Sequence, residues 1–115
     1  NDAFRWSCRN GHLEVAKWLY NTFQITSGEI KMDNSIFKWS CRNGHLGVAK
    51  WLFMTFHITD AEVRINNNEV FRESYINGHT DVAIWLRETF NIIYEEPTHI
   101  SQNGYAQYPI LLPWK

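Results

Sequence analysis

Two cysteines each stand four residues ahead of a histidine, in Cys8-Arg9-Asn10-Gly11-His12 and Cys41-Arg42-Asn43-Gly44-His45. Cysteine and histidine are the side chains that hold zinc, and four of them complete a tetrahedral site. The same pair activates a thiolate nucleophile when an acid orients the imidazole. The pattern argues against both chemistries. Each pair straddles an Asn-Gly corner, the two copies lie 33 positions apart, and Tyr75 stands where a third cysteine would be. No acid partner recurs, and no oxyanion motif accompanies the pair. The expectation is therefore no metal, no cofactor and no catalytic residue, with the thiols used as small core side chains. Stacked helices lie roughly 8–10 Å apart, beyond the span of about 7 Å that a disulfide tolerates between Cα atoms. Reduced thiols suit a reducing, intracellular setting.

Two further sets recur at the same spacing. Trp18, Trp51 and Trp85 share one position, and Trp6 and Trp39 share another, with Glu73 breaking the second series. Exposed aromatic ladders bind single-stranded nucleic acid, but these tryptophans keep helical phase with Leu19, Leu52 and Leu86, which predicts a core or half-buried ladder. The basic set is the better binding candidate. Arg5, Lys38 and Arg72 are equivalent, and Arg9, Arg42 and Ile76 occupy a second equivalent position. These six are the candidate partner-binding residues; the other reading is a solvated face balanced by carboxylates such as Glu73. The chain carries 11 Lys and Arg against 12 Asp and Glu, so no global charge draws it to nucleic acid or an anionic membrane. No groove-reading element is present either. The balance hides a gradient, with residues 1–32 and 33–65 each at +1 and residues 66–115 at −3.

The elements that must position these residues are written nearly three times. Cys8-Arg9-Asn10-Gly11-His12-Leu13-Glu14-Val15-Ala16-Lys17-Trp18-Leu19 returns at Cys41–Leu52 and, more loosely, at Tyr75–Leu86, with the glycines 33 and then 34 residues apart. A fixed period of this length marks a stacked repeat. The spacing predicts units of about 1–32, 33–65 and 66–93. Each has a first helix ending at Asn-Gly and a second helix over roughly Leu13–Thr22, Leu46–Phe56 and Thr80–Phe90. Asp2 and the pair Asp33-Asn34 are expected caps. Thr26-Ser27-Gly28-Glu29 and Thr59-Asp60-Ala61-Glu62 both spell a capping box, which predicts a short third helix in each unit. Asn66-Asn67-Asn68 holds the extra residue and is expected as a turn before a helix over Glu69–Ile76. Residues 94–115, rich in Pro and apolar side chains, are expected to be extended and to fold back over the third unit as an irregular cap. No apolar run approaches the length that a bilayer requires. The piece is expected to be soluble, and to be the C-terminal part of a longer chain.

At Asn10–Leu19, with looser copies from Asn43 and Asn77, the chain resembles the ankyrin-repeat family. The resemblance covers roughly residues 2–93 and includes the small residues before each corner, Ser7-Cys8 and Ser40-Cys41. It departs from the family at the first-helix opening and after the second helix, where Phe23-Gln24-Ile25 and Phe56-His57-Ile58 stand. With tryptophan in the second helix and Thr-x-x-Glu after it, the pattern is similar to divergent arrays of large DNA viruses of amoebae and of some protists. The resemblance implies an all-α, ankyrin-like solenoid of three units, the short third helix replacing the β-hairpin finger. It implies a protein–protein interaction module that uses the concave first-helix face in a host cytoplasm, and the cationic set on that face suits an acidic segment of the partner. Further repeats or an adaptor domain are expected upstream. The alternative is a structural part of a larger viral or host assembly, with the aromatic rows and the tail buried against neighbours.

Overall fold

The computed structural model describes residues 1–32, 35–92, 94–95 and 110–111. Among these the chain is all-helical apart from one pair of two-residue strands. The helices are α1 (Asp2–Arg9), α2 (Leu13–Phe23), α3 (Ser27–Met32), α4 (Ser35–Arg42), α5 (Leu46–Phe56), α6 (Asp60–Ile76) and α7 (Thr80–Phe90). None is long and apolar enough to cross a membrane. The strands, β1 (Tyr94–Glu95) and β2 (Ile110–Leu111), pair antiparallel with Tyr94 opposite Leu111.

Three helical hairpins, α1–α2, α4–α5 and α6–α7, are built by one corner used three times. Gly11, Gly44 and Gly78 take φ of 80°, 82° and 81°, a left-handed conformation that costs glycine least. The preceding helix then closes with two backbone bonds. In the first corner the Gly11 N–H donates to Cys8 O at 3.4 Å and the His12 N–H to Ser7 O at 2.8 Å. The same pair recurs at Gly44-His45 and Gly78-His79. Each histidine also opens the next helix, its carbonyl accepting from Ala16, Ala49 or Ala83 at 2.9–3.0 Å. One residue thus ends one helix and starts the other, which forces the antiparallel return.

The second helices stop in a shared way too. Gln24, His57 and Asn91 lie at equivalent positions with φ of 51°, 53° and 52°. Each is followed by a buried isoleucine: Ile25, Ile58 and Ile92. The left-handed residue swings the chain so that this isoleucine re-enters the core. A side chain with a Cβ strains there, by roughly 1–2 kcal/mol, and burial of the isoleucine offsets it at about the same magnitude.

First helices lie side by side in the order α1, α4, α6, and the core is a strip between consecutive hairpins. Phe4, Phe37 and Phe71 are buried at one repeat position, and Leu19, Leu52 and Leu86 at another. Ser7, Ser40 and Ser74 are buried as well, each hydroxyl donating to the carbonyl four residues back at 2.8–2.9 Å. Aromatic rings interlock across each junction in one geometry. Tyr20 meets Phe56 edge-on at 5.4 Å, and Phe53 meets Phe90 at 5.3 Å. Tyr20–Trp51 and Phe53–Trp85 repeat the match at 5.7 and 5.8 Å. Such pairs contribute about 0.5–1.5 kcal/mol each beyond their burial.

The structure corrects four expectations. Asn1, not Asp2, caps α1, its Oδ1 accepting from the Phe4 N–H at 3.0 Å. Asn is as good a cap as Asp, and the helix simply begins one residue earlier. Helix α2 extends to Phe23. Its Val15, Trp18 and Phe23 are exposed, although the matching Val48, Val82, Phe56 and Phe90 are buried. These side chains face the preceding hairpin, and the first unit has none before it among the described residues. Finally, the second unit's short helix and the third unit's first helix form a single hydrogen-bonded run, α6. Asn66 and Asn68 still take φ of 56° and 58° inside it, so the expected corner survives as a break in the right-handed winding. Asn tolerates that conformation better than most residues.

The short helix α3 follows α2 as expected, and the capping box at Thr59 is complete. Its Oγ1 accepts from the Glu62 N–H at 3.2 Å, and the Glu62 carboxylate accepts from the Thr59 N–H at 2.8 Å. The matching Glu29 side chain and the Asp33-Asn34 cap lie outside the described residues. So does the bulk of the tail, and with it the expected cap over the third unit.

The corners carry a quantitative consequence. A Cβ on Gly44 would meet the His79 imidazole at 2.4 Å, whereas one on Gly78 would meet nothing within 4 Å. Gly78→Ala should therefore cost only backbone strain, about 1–2 kcal/mol. Gly44→Ala should cost at least twice that, because the ring must also leave its seat. Urea denaturation of both variants checks this, and equal losses would show that the imidazole does not rest on the glycine.

Candidate functional site

The six basic-set residues fall on three neighbouring first-helix segments. Arg5 and Arg9 lie on α1, Lys38 and Arg42 on α4, Arg72 and Ile76 on α6. The packing of α1 on α4 and α4 on α6 brings the three segments to one face. That face is not uniformly cationic. Lys38 Nζ lies 3.1 Å from Glu69 Oε1, and Arg42 Nε lies 3.4 Å from Glu73 Oε2. Arg72 donates to the Asn66 carbonyl at 2.8 Å. Both carboxylates belong to α6, so the third hairpin balances the charge of the second. Such half-exposed pairs contribute little to stability, about 0–1 kcal/mol each, but they set where positive potential remains.

The α1–α4 junction gathers Arg5 and Arg9 beside Asp2. A groove of about 290 Å³ is lined there by Asp2, Arg5, Trp6, Arg9, Ser35, Ile36 and Trp39. Trp6 and Trp39, one repeat apart, contribute indole surface from the two helices, and Trp6 is 58% exposed. The Arg9 guanidinium sits 4.5 Å from the centre of the Trp39 ring, and that of Arg42 sits 4.7 Å from the same centre. Ring-face contacts of this kind are worth about 0.5–1 kcal/mol where water reaches them. They also fix a guanidinium in place without consuming its hydrogen-bond donors. Arg9 has no carboxylate partner among the described residues, which leaves those donors available to a ligand.

Sequence reasoning placed Arg5, Arg9, Lys38 and Arg42 on this face but missed Glu69 as the partner of Lys38. Glu73 was legible, because it interrupts the Trp6 and Trp39 series at the point where Arg42 needs a counter-ion. The role of the tryptophans was only partly legible. Trp51 and Trp85 are half-buried between hairpins as expected, while Trp6 and Trp18 stand out in solvent.

The cysteines lie elsewhere. Cys8 and Cys41 are fully buried, and burial pushes the Cys8 thiol up to about 12 and raises the Cys41 thiol as well. A thiol so poorly ionised is a poor nucleophile or metal ligand. Among the described residues no three His, Cys, Asp or Glu side chains are grouped as a metal site.

The histidines of the corners form their own series. The His45 ring lies against Gly11 and the His79 ring against Gly44. Burial, together with the charges of His79 and His12, lowers the His45 pKa, partly opposed by its bond to the Arg9 backbone. Glu69 is lowered by its hydrogen bonds from Asn66 and Lys38, against a smaller effect of burial. Both groups are depressed in the fold, so both contributions are complete above the unfolded values and are lost as pH falls toward the folded ones. Stability should drop first below about pH 6.5 and again below about pH 4.3. Urea midpoints between pH 8 and pH 3 measure this, and His45→Gln should flatten the first step. A midpoint that climbs between pH 7 and pH 5 would contradict it.

Comparison with family models, with curated proteins and with solved structures finds no match to this chain.

Proposed function

We propose that the chain is a protein-binding module, an ankyrin-like solenoid whose first-helix face takes an extended acidic segment of another protein. The observation that carries this reading is the groove between α1 and α4, where Arg5 and Arg9 line a slot with indole surface on both sides. Its volume, about 290 Å³, suits one or two side chains. A ligand that matches it pairs a carboxylate for Arg9 with an aromatic or aliphatic neighbour lying between Trp6 and Trp39. Aromatic and arginine side chains are the residues that most often anchor protein interfaces.

Three features support binding without catalysis. The buried thiols are held protonated, and among the described residues the groove is lined by no histidine or cysteine and by a single carboxylate, Asp2, beside Arg5 and Arg9. The repeated hairpins and their 33-residue period support the ankyrin-like reading, including its short α3 in place of a β-hairpin finger. A second reading, a structural part of a larger assembly, draws support from the exposed apolar surface of α2.

The test is selection of random twelve-residue peptides on the immobilised chain, followed by titration of the winners with indole fluorescence as readout. Enrichment of Asp and Glu beside an aromatic residue is expected, with affinity falling as salt rises. Arg9→Glu should weaken binding at least tenfold, the scale of one lost charge-assisted contact of about 1.5–3 kcal/mol, with little change in melting temperature. Enrichment of basic or featureless peptides, or undiminished binding by the variant, would contradict the reading.

A further inference from the structure

The leading faces of the three hairpins are built alike but covered differently. Val48 and Val82 are 2% and 0% exposed, yet their counterpart Val15 is 47% exposed. Phe56 and Phe90 are 1% and 5% exposed, against 57% for Phe23. Trp51 and Trp85 are half-buried, whereas Trp18 is 60% exposed. What covers the later residues is the trailing face of the hairpin before: Phe4 and Tyr20 on Trp51 and Phe56, then Phe37 and Phe53 on Trp85. The corner follows the same rule. His45 rests on Gly11 and His79 on Gly44, while His12 lies against Trp6, ring centres 5.0 Å apart. A contiguous apolar face of this kind marks an interaction surface.

We propose that the face formed by His12, Val15, Trp18 and Phe23 is the seat of one more helical hairpin of the same kind, carried by polypeptide ahead of Asn1. The stacking interface seen twice within the chain continues through this face, and the occupant's chemistry follows from it. It presents a left-handed glycine to the His12 imidazole, 33 residues before Gly11. It also presents aromatic side chains to Trp18 and Phe23 at the positions equivalent to Phe37 and Phe53, the second of them edge-on. The inference is independent of the groove between α1 and α4.

A second copy of the chain fits less well. Its trailing face would be that of the third hairpin, where Arg87 replaces the aromatic of Tyr20 and Phe53 and where Phe71 is already 1% exposed. That face keeps Phe71 and the open space over Gly78 but lacks the second aromatic of the trailing pattern. The third hairpin's trailing face thus departs from the other two, while the first hairpin's leading face keeps their pattern.

The experiment is to read the coding sequence upstream of residue 1 and to express the chain with and without the roughly 35 residues that precede it. A hairpin with glycine 33 positions before Gly11 is expected. Its presence should move tryptophan emission to shorter wavelength and raise the melting temperature by at least ~2 °C, since a gain of 1 kcal/mol moves a chain of about 150 residues by about 2–4 °C. Replacing that glycine by alanine should remove most of the gain. The absence of such a hairpin, an extension that leaves emission and melting unchanged, or concentration-dependent dimers of the present chain that bury Trp18 would each overturn the proposal.

Discussion

An imidazole lying on a bare glycine fixes how one hairpin meets the next. Gly11 and Gly44 lack the atom that would fill the space taken by His45 and His79. Their left-handed backbone turns the corner that space belongs to. Because the same histidine closes one helix and opens the next, the ring's position and the hairpin's geometry are set together. Once that contact is made, Phe56 and Phe90 reach the aromatic side chains of the preceding unit at nearly equal distances. Two hydrogen bonds lock the register near the same corner at the first junction. Asn43 donates to the Arg9 carbonyl at 3.1 Å, and the buried Ser40 hydroxyl lies 3.1 Å from the Cys8 carbonyl.

Much of this was legible because helical phase is a local property. The Asn-Gly-His corners, the burial of Phe4, Ser7 and Cys8, and the capping box at Thr59 follow from short-range spacing, and the structure has them all. The misplaced residues depend on neighbours that spacing does not name. Val15 and Phe23 have the same local pattern as Val48 and Phe56, and they differ because no hairpin among the described residues packs on them. The α6 run escaped notice for a related reason. Asn66 and Asn68 spell a turn, yet a helix can carry two left-handed residues when caps and ion pairs on either side hold it. Arg64 contributes here, bonding Asp60 at 2.7 Å and also the carbonyl of Phe90. Of the candidate site, its helix face was legible, but the balance of its charge was not. The pairs Lys38–Glu69 and Arg42–Glu73 cross from one hairpin to the next and need the stacking register to be known.

The same register shapes the surface. Carboxylates on α6 answer the cations of α4, and α1 has only Asp2 lining the groove with its own arginines. Exposed indole concentrates on the first hairpin, with Trp6 at the groove and Trp18 on the leading face of α2. The first helices, packed side by side, set their charged side chains in a line along one face.

The stacking contact itself can be observed directly by nuclear Overhauser spectroscopy on the isotopically labelled chain. The account predicts cross-peaks from the His45 ring protons to the Gly11 α-protons and from the His79 ring to those of Gly44, with equal intensities at the two junctions. Cross-peaks that join these rings only to their own hairpins, or a match at one junction and none at the other, would contradict it.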